Sequence, residues 1–161
     1  MDLYIDYILN LSCNVAFSAF KDGYDSVMAG TAISLFRAEE LSELILGSNS
    51  LDFDELRKVA QYDGFTAESQ TVLFFWQVME ELSDEEKKKL LFFATGSDRV
   101  PIGGFSKLGF VLAKNGDDPT RLPTSHTCYN VLMLSEYPTK DTLKERLLTA
   151  LKFSDCGFYL N

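Results

Sequence analysis

Histidine occurs once in 161 residues, tryptophan once, cysteine three times and proline four times, and positive charge is short, with 15 Lys and Arg against 24 Asp and Glu. Each scarcity excludes something. A formal charge of -9 argues against nucleic acid or an anionic membrane as a partner, because both recruit a positive field. The basic run Lys87, Lys88, Lys89 directly follows Asp84, Glu85 and Glu86, which is the pattern of a solvated helix face. Cys13, Cys128 and Cys156 are odd in number and far apart, so they make no disulfide framework and fit a reducing compartment. No apolar run approaches the roughly 20 residues of a membrane helix. The opening MDLYIDYILNLS lacks the basic start and cleavage site of a signal peptide. The expected location is the cytosol, with the nucleus as an alternative.

The single histidine also restricts the chemistry. A papain-like hydrolase needs a histidine far along the chain from its cysteine, whereas His126 stands two residues before Cys128. There is no C-x-x-C pair for thioredoxin-like redox work. A structural zinc site needs four ligands, which one histidine and three scattered thiols do not supply, so neither metal nor cofactor is expected. Gly103 and Gly104 in RVPIGGF follow no phosphate-loop pattern and read as a turn.

What the chain does hold is apolar material: 46% hydrophobic residues, with 13 Phe and 7 Tyr, ample for a packed core. Tyr4, Ile8, Leu11 and Val15, then Cys13, Phe17, Phe20, Tyr24 and Val27, recur at helical steps, so the start of the chain reads as one or two amphipathic helices with Cys13 on an apolar face. A further helix is expected over 37–46, with Glu39 and Glu40 in its first turn and Gly47 at its stop. The small polar stretch GSNS that follows reads as a hinge. Residues 1–47 are too few to bury a core alone, so their apolar faces require something larger to pack on.

After the hinge, LDFDELRKVA reads as a short helix and YDGF as a turn. Val72, Trp76, Met79 and Leu82 share one face of a strong helix, and Ser83 with Glu86 forms a capping box opening the next. GFVLA and NVLML have the length and character of strands, separated by the loop KNGDDPTRLP. Thr139 caps a last helix in which Leu143, Leu147 and Leu151 share a face. Helices first, short strands later and a closing helix define an α+β domain over 52–161, preceded by a helical piece over 1–47 and a hinge over 48–51.

Cys128 falls between the loop and the second strand. A thiolate is a strong nucleophile, but a free cysteine with a pKa of about 8.5 is only slightly ionised at neutral pH. If the segment is extended, His126 and Cys128 point to one side. Spacing alone leaves Cys128 open between a nucleophile and a merely free thiol.

The order of several segments decides more. LFRAEELSELILGS, LDFDEL, YDGF, FFWQVMEELSDEEKKKLLFFATGSDRVPIGGF, LPTSHTCYNVLMLSEYPTKDTLKERLLTAL and CGFYLN together resemble the C-terminal part of HECT-type ubiquitin ligases across essentially the whole chain. The short stretch between Phe110 and Leu122 is closest in look to the ligases related to the E6-associated protein and to the HERC group. The resemblance implies a lobe that accepts ubiquitin as a thioester on a cysteine and passes it to a substrate lysine. That cysteine matches Cys128, inside the family's L-P-x-x-H-T-C-F-N pattern, with Leu122, Pro123, His126, Thr127 and Asn130 also matching. Tyr129 replaces the usual phenylalanine.

The family's phenylalanine near the carboxyl end, which supports transfer, matches Phe158, and the inter-lobe linker matches Ser48, Asn49, Ser50 and Leu51. Implied partners are ubiquitin, a ubiquitin-conjugating enzyme and a protein substrate. The family's domain is longer, and the sub-lobe that docks the conjugating enzyme is not among the matched residues. Poor self-loading by this chain alone is therefore expected. A competing reading is a non-catalytic ubiquitin-binding or regulatory module of the same fold. A cysteine hydrolase is disfavoured by the lone histidine.

Overall fold

The computed structural model describes residues 2–28, 33–49 and 51–154. Ser50, Cys156, Phe158 and Asn161 lie outside the described residues. The chain divides into two compact units, residues 1–42 and 43–161.

The first unit is helical. Helix α1 (Asp2–Asp6) passes through a π-helical turn (Tyr7–Leu11) into α2 (Asn14–Val27). The widened turn is closed by the Ser12 N–H donating to the Tyr7 carbonyl at 2.8 Å, a five-residue step. Lys21 pairs with Asp25 one turn on, and Phe20 stacks on Tyr24. The expected apolar stripe forms, but no residue of α2 is buried. Cys13, expected to pack, is exposed, because no described element covers the stripe. Helix α3 (Ala38–Leu46) straddles the division. Its start is held by the Arg37 N–H donating to the Glu40 carboxylate at 2.9 Å.

The second unit is the expected α+β domain, a four-stranded sheet packed with helices. Strands β1 (Gln61–Asp63), β2 (Val111–Lys114), β3 (Thr124–His126) and β4 (Val131–Leu134) lie in the order β1-β2-β4-β3. The first three in that order are parallel, and β3 closes the edge antiparallel to β4. Leu112, on β2, faces Leu132, on β4, in register, and both are fully buried. Parallel neighbours require a long crossover. Between β1 and β2 it is made by α5 (Gln70–Glu81) and α6 (Asp84–Thr95).

Helix α5 buries Val72, Phe75, Trp76, Val78 and Met79, a wider face than the four positions expected, because α7 (Lys140–Ser154) packs against it as well. Ser83 and Glu86 form the expected reciprocal capping box at the start of α6. Leu143, Leu147 and Leu151 bury the inner face of α7, whose N–H at Thr142 donates to the Thr139 hydroxyl. Helix α4 (Phe53–Val59) is capped by the Asp52 carboxylate, which accepts from the N–H groups of Asp54 and Glu55. The expected turn YDGF is only half a turn. Tyr62 and Asp63 belong to β1, whose entry is fixed by the Gln61 N–H donating to the Phe110 carbonyl, and Gly64 at φ 71° makes the bend.

The hinge stretch opens in a paired conformation. Ser48 and Val100 form an antiparallel bridge, Ser48 N–H to Val100 carbonyl at 2.8 Å and the reverse at 3.0 Å. Leu51 packs, half-buried, on the core.

Glu81 ties α5 to α7, accepting from Lys140 at 2.5 Å and Lys144 at 2.8 Å. Those two hydrogen bonds hold its pKa down from 4.5 to about 2. The stabilisation is present above the unfolded-state value and is lost as pH falls through the folded one. The difference in melting temperature between wild type and Glu81→Gln is therefore expected to shrink between pH 4.5 and pH 2, and raised salt should shrink it at neutral pH, since the pair is partly exposed. A difference that is flat over that range in thermal melts would contradict the assignment.

Candidate active site

The sheet's β3–β4 edge carries the site. Strand β3 ends at His126, and the chain then tightens into a 3-10 turn, Thr127–Tyr129, before entering β4. Cys128 sits on this turn and is exposed. The turn breaks the alternation a continuous strand would have imposed, so His126 and Cys128 do not share a strand face, and no hydrogen bond joins them among the described residues. His126 is exposed, and the Tyr129 ring is 76% exposed. Both side chains and the thiol face solvent.

Beneath them the turn is firmly built. Asn130 ends it at φ 54°, ψ 39°, a left-handed conformation that asparagine tolerates better than most residues. Its N–H donates to the Thr127 carbonyl at 3.3 Å, and its carbonyl accepts from the Val111 N–H at 3.0 Å. Its side-chain amide donates to the Leu108 carbonyl at 2.5 Å. Helix α6 packs against both β3 and the turn. Its C-cap Gly96, at φ 79°, lies so that a Cβ there would stand 3.8 Å from the Thr127 Cβ. Pro123 is buried and Leu122 packs, half-buried, on the core.

The loop leading into β3 is held by residues that motif reading passes over. Asn115 receives the Arg121 guanidinium on its side-chain oxygen at 3.0 Å and donates to the Thr124 hydroxyl at 3.4 Å. Ser135 donates to the Asn115 carbonyl. The Tyr137 hydroxyl donates to the Arg121 carbonyl at 2.8 Å, and its N–H donates to the Thr71 hydroxyl. Burial raises the Tyr137 pKa, so the phenol stays a donor at any physiological pH. The signal available in sequence was one tyrosine next to Pro138, which says nothing of its partner. Tyr137→Phe leaves the Arg121 carbonyl without this donor. It is expected to cost about 1–2 kcal/mol and lower the melting temperature by roughly 3–6 °C; an unchanged melt would remove the clamp.

Behind the turn lies a cleft of about 300 Å³, lined by Leu46, Gly47, Arg99, Ile102, Leu108 and Asn130 among others. Among the described residues no three His, Cys, Asp or Glu side chains cluster as a metal would need.

An exposed thiol on a turn, with no hydrogen-bonded histidine among the described residues, limits the chemistry open to it. Attack on an ester or amide needs a general acid for the leaving group, whereas attack on a thioester expels a thiolate that leaves unprotonated. The structure places an exposed thiol on a turn at the sheet edge of a small α+β lobe. Residues 1–161 match the HECT-domain (ubiquitin-transferase) family over their whole length. The chain belongs to that family.

Its relatives include the probable E3 ubiquitin-protein ligase HECTD2 of Mus musculus, 42% identical over 160 residues, covering 99% of this chain and 20% of that protein. The probable E3 ubiquitin-protein ligase HERC4 of Homo sapiens is 41% identical over 161 residues, covering 99% and 15%. The probable E3 ubiquitin-protein ligase HUL4 of Eremothecium gossypii is 41% identical over 155 residues, covering 94% and 18%. The chain spans about a fifth or less of the length of these curated relatives.

Proposed function

We propose that this chain accepts ubiquitin as a thioester on Cys128 and transfers it to a lysine amine of a protein substrate. Exposure of Cys128 on a turn braced from behind carries this reading, together with membership of the family. The thiolate attacks the carbonyl of an incoming ubiquitin thioester, the carbon–sulfur bond to the donor breaks, and the donor leaves as thiolate. A neutral lysine amine then attacks the new thioester, gives up a proton, and expels the Cys128 thiolate as the isopeptide bond forms.

His126 and Thr127 orient the turn and polarise the carbonyl rather than act as bases. Phe158 supports the transfer step. Residues 48–51 serve as the hinge that lets the cysteine-bearing unit swing from donor to acceptor. Because the Ser48–Val100 bridge holds the first hinge residue to that unit, rotation within 48–51 requires the bridge to open. The partners are ubiquitin, a conjugating enzyme and a protein substrate, and the place of action is the cytosol or nucleus.

Incubation with a conjugating enzyme charged with ubiquitin, or with ubiquitin activated as a thioester of a small thiol, tests the reading. The expected product is a reductant-labile adduct that peptide mass spectrometry places on Cys128. Slow loading from the conjugating enzyme with ready loading from the small thioester is the expected pattern. No adduct from either donor, with the protein folded, sinks the proposal.

A further inference from the structure

We infer that Asn130 is the positioning residue of the acyl-accepting turn, a role that rests on the transfer function proposed above. Asn130 follows Cys128 by two residues, and its side-chain amide is turned inward onto the Leu108 carbonyl rather than outward beside the thiol. It therefore touches no acyl group. Three features meet in this one residue. Its left-handed backbone reverses the chain out of the 3-10 turn. Its carbonyl takes the Val111 N–H, joining the turn to the first residue of β2. Its amide reaches across 22 positions of sequence to close the other side of that junction.

Leu108 is itself the C-cap of a short 3-10 helix, Phe105–Lys107, whose Phe105 is fully buried against Phe53. The clamp thus refers the position of Cys128 to the core of the lobe. Without it the turn is held at Thr127 by packing on α6 and at Val131 by the β4 ladder, while the residues between are free to shift. Displacement of a nucleophile by about 1 Å can cost a hundredfold in rate.

The test uses the full chain with Asn130→Gly, which keeps the positive φ but removes the donor, beside Asn130→Ala, which removes both. Each variant receives ubiquitin from a small-molecule thioester, so that a carbon–sulfur bond forms at Cys128 as the small thiol leaves. In parallel, iodoacetamide alkylation reads the thiol itself, hydrogen exchange reads the Asn130 and Val111 amides, and thermal melting reads the fold.

For Asn130→Gly, ubiquitin acceptance is expected to fall about tenfold or more, with alkylation within about twofold of wild type. Exchange at the two amides should quicken about tenfold while the melt stays cooperative. Asn130→Ala should be slower still. Acceptance unchanged in Asn130→Gly overturns the role, as does a loss that merely follows the unfolded fraction or the alkylation rate. If wild type is alkylated at Cys128 but takes no ubiquitin, the transfer reading has failed, and the positioning role falls with it. That case is recognised because the defect lies in wild type and not in the variants.

Discussion

Cys128→Ser is expected to lower the rate of ubiquitin acceptance by about a thousandfold or more while leaving the melting curve where it was. A thiol is acidic enough to supply a strongly nucleophilic thiolate in water, whereas a serine hydroxyl is essentially un-ionised without a base hydrogen-bonded to it. His126 makes no hydrogen bond to position 128 among the described residues, so the activated-serine device of the triad enzymes is missing. Any adduct the serine variant does form is an oxyester. It should survive the thiol reductant that cleaves the wild-type thioester and yield to hydroxide, which cleaves both. Because position 128 is exposed, exchanging sulfur for oxygen there removes no core contact, and stability and activity separate cleanly. Equal acceptance by wild type and Cys128→Ser would mean that the acyl group lands elsewhere, with Cys13, also exposed, the first alternative for peptide mapping.

That expectation could be written from the sequence because the LPTSHTCYN stretch is contiguous, as are the other features that reading along the chain found. Ser83 and Glu86 cap α6 through an i,i+3 contact, and Val72, Trp76, Met79 and Leu82 show their helical period directly. The apolar runs of β2 and β4 announce strands because both lie inside the sheet, with β1 and β3 at its edges. The illegible parts have partners far away. Strands β1 and β3 are three residues each, too short to display a period of two. Their existence depends on the Phe110 carbonyl and on pairing with β4. Tyr137 holds Arg121, and Asn130 holds Leu108, across intervals that no local rule connects. Cys13 went wrong for the complementary reason. Periodicity shows that a helix has an apolar side, but not whether anything covers it.

Gly47→Ala is the stability change expected to be largest among those argued here, about 2–4 kcal/mol, seen as a fall in melting temperature of roughly 6–12 °C. Gly47 ends α3 at φ 91°, outside the ordinary range of a residue with a Cβ. The chain turns there so that its next residue can pair with Val100. A Cβ at Gly47 would stand 2.4 Å from the Val100 carbonyl oxygen and 3.1 Å from its carbon. That oxygen is the acceptor of the Ser48 N–H at 2.8 Å, so relieving the overlap stretches the bridge at its best bond. Val100 is itself buried in the core and cannot retreat without opening packed surface.

Two causes, the left-handed backbone and the overlap, are separated by Gly47→Asn. Asparagine tolerates positive φ but carries the same Cβ. Since the obstruction is backbone rather than a flexible side-chain tip, Asn should recover only the smaller part of the loss. Hydrogen exchange at the Ser48 and Val100 amides should rise in both variants, while the Glu86 capping amide, in a different part of the same lobe, keeps its protection. A melt and an exchange pattern unchanged by Gly47→Ala would show that the Cβ is accommodated without opening the bridge, and the expected strain would be refuted. With the bridge lost but the lobe folded, the whole of 48–51 becomes available as the pivot of the proposed swing. Transfer to substrate should then respond more strongly than acceptance from a small thioester, because only the former requires the lobe to travel.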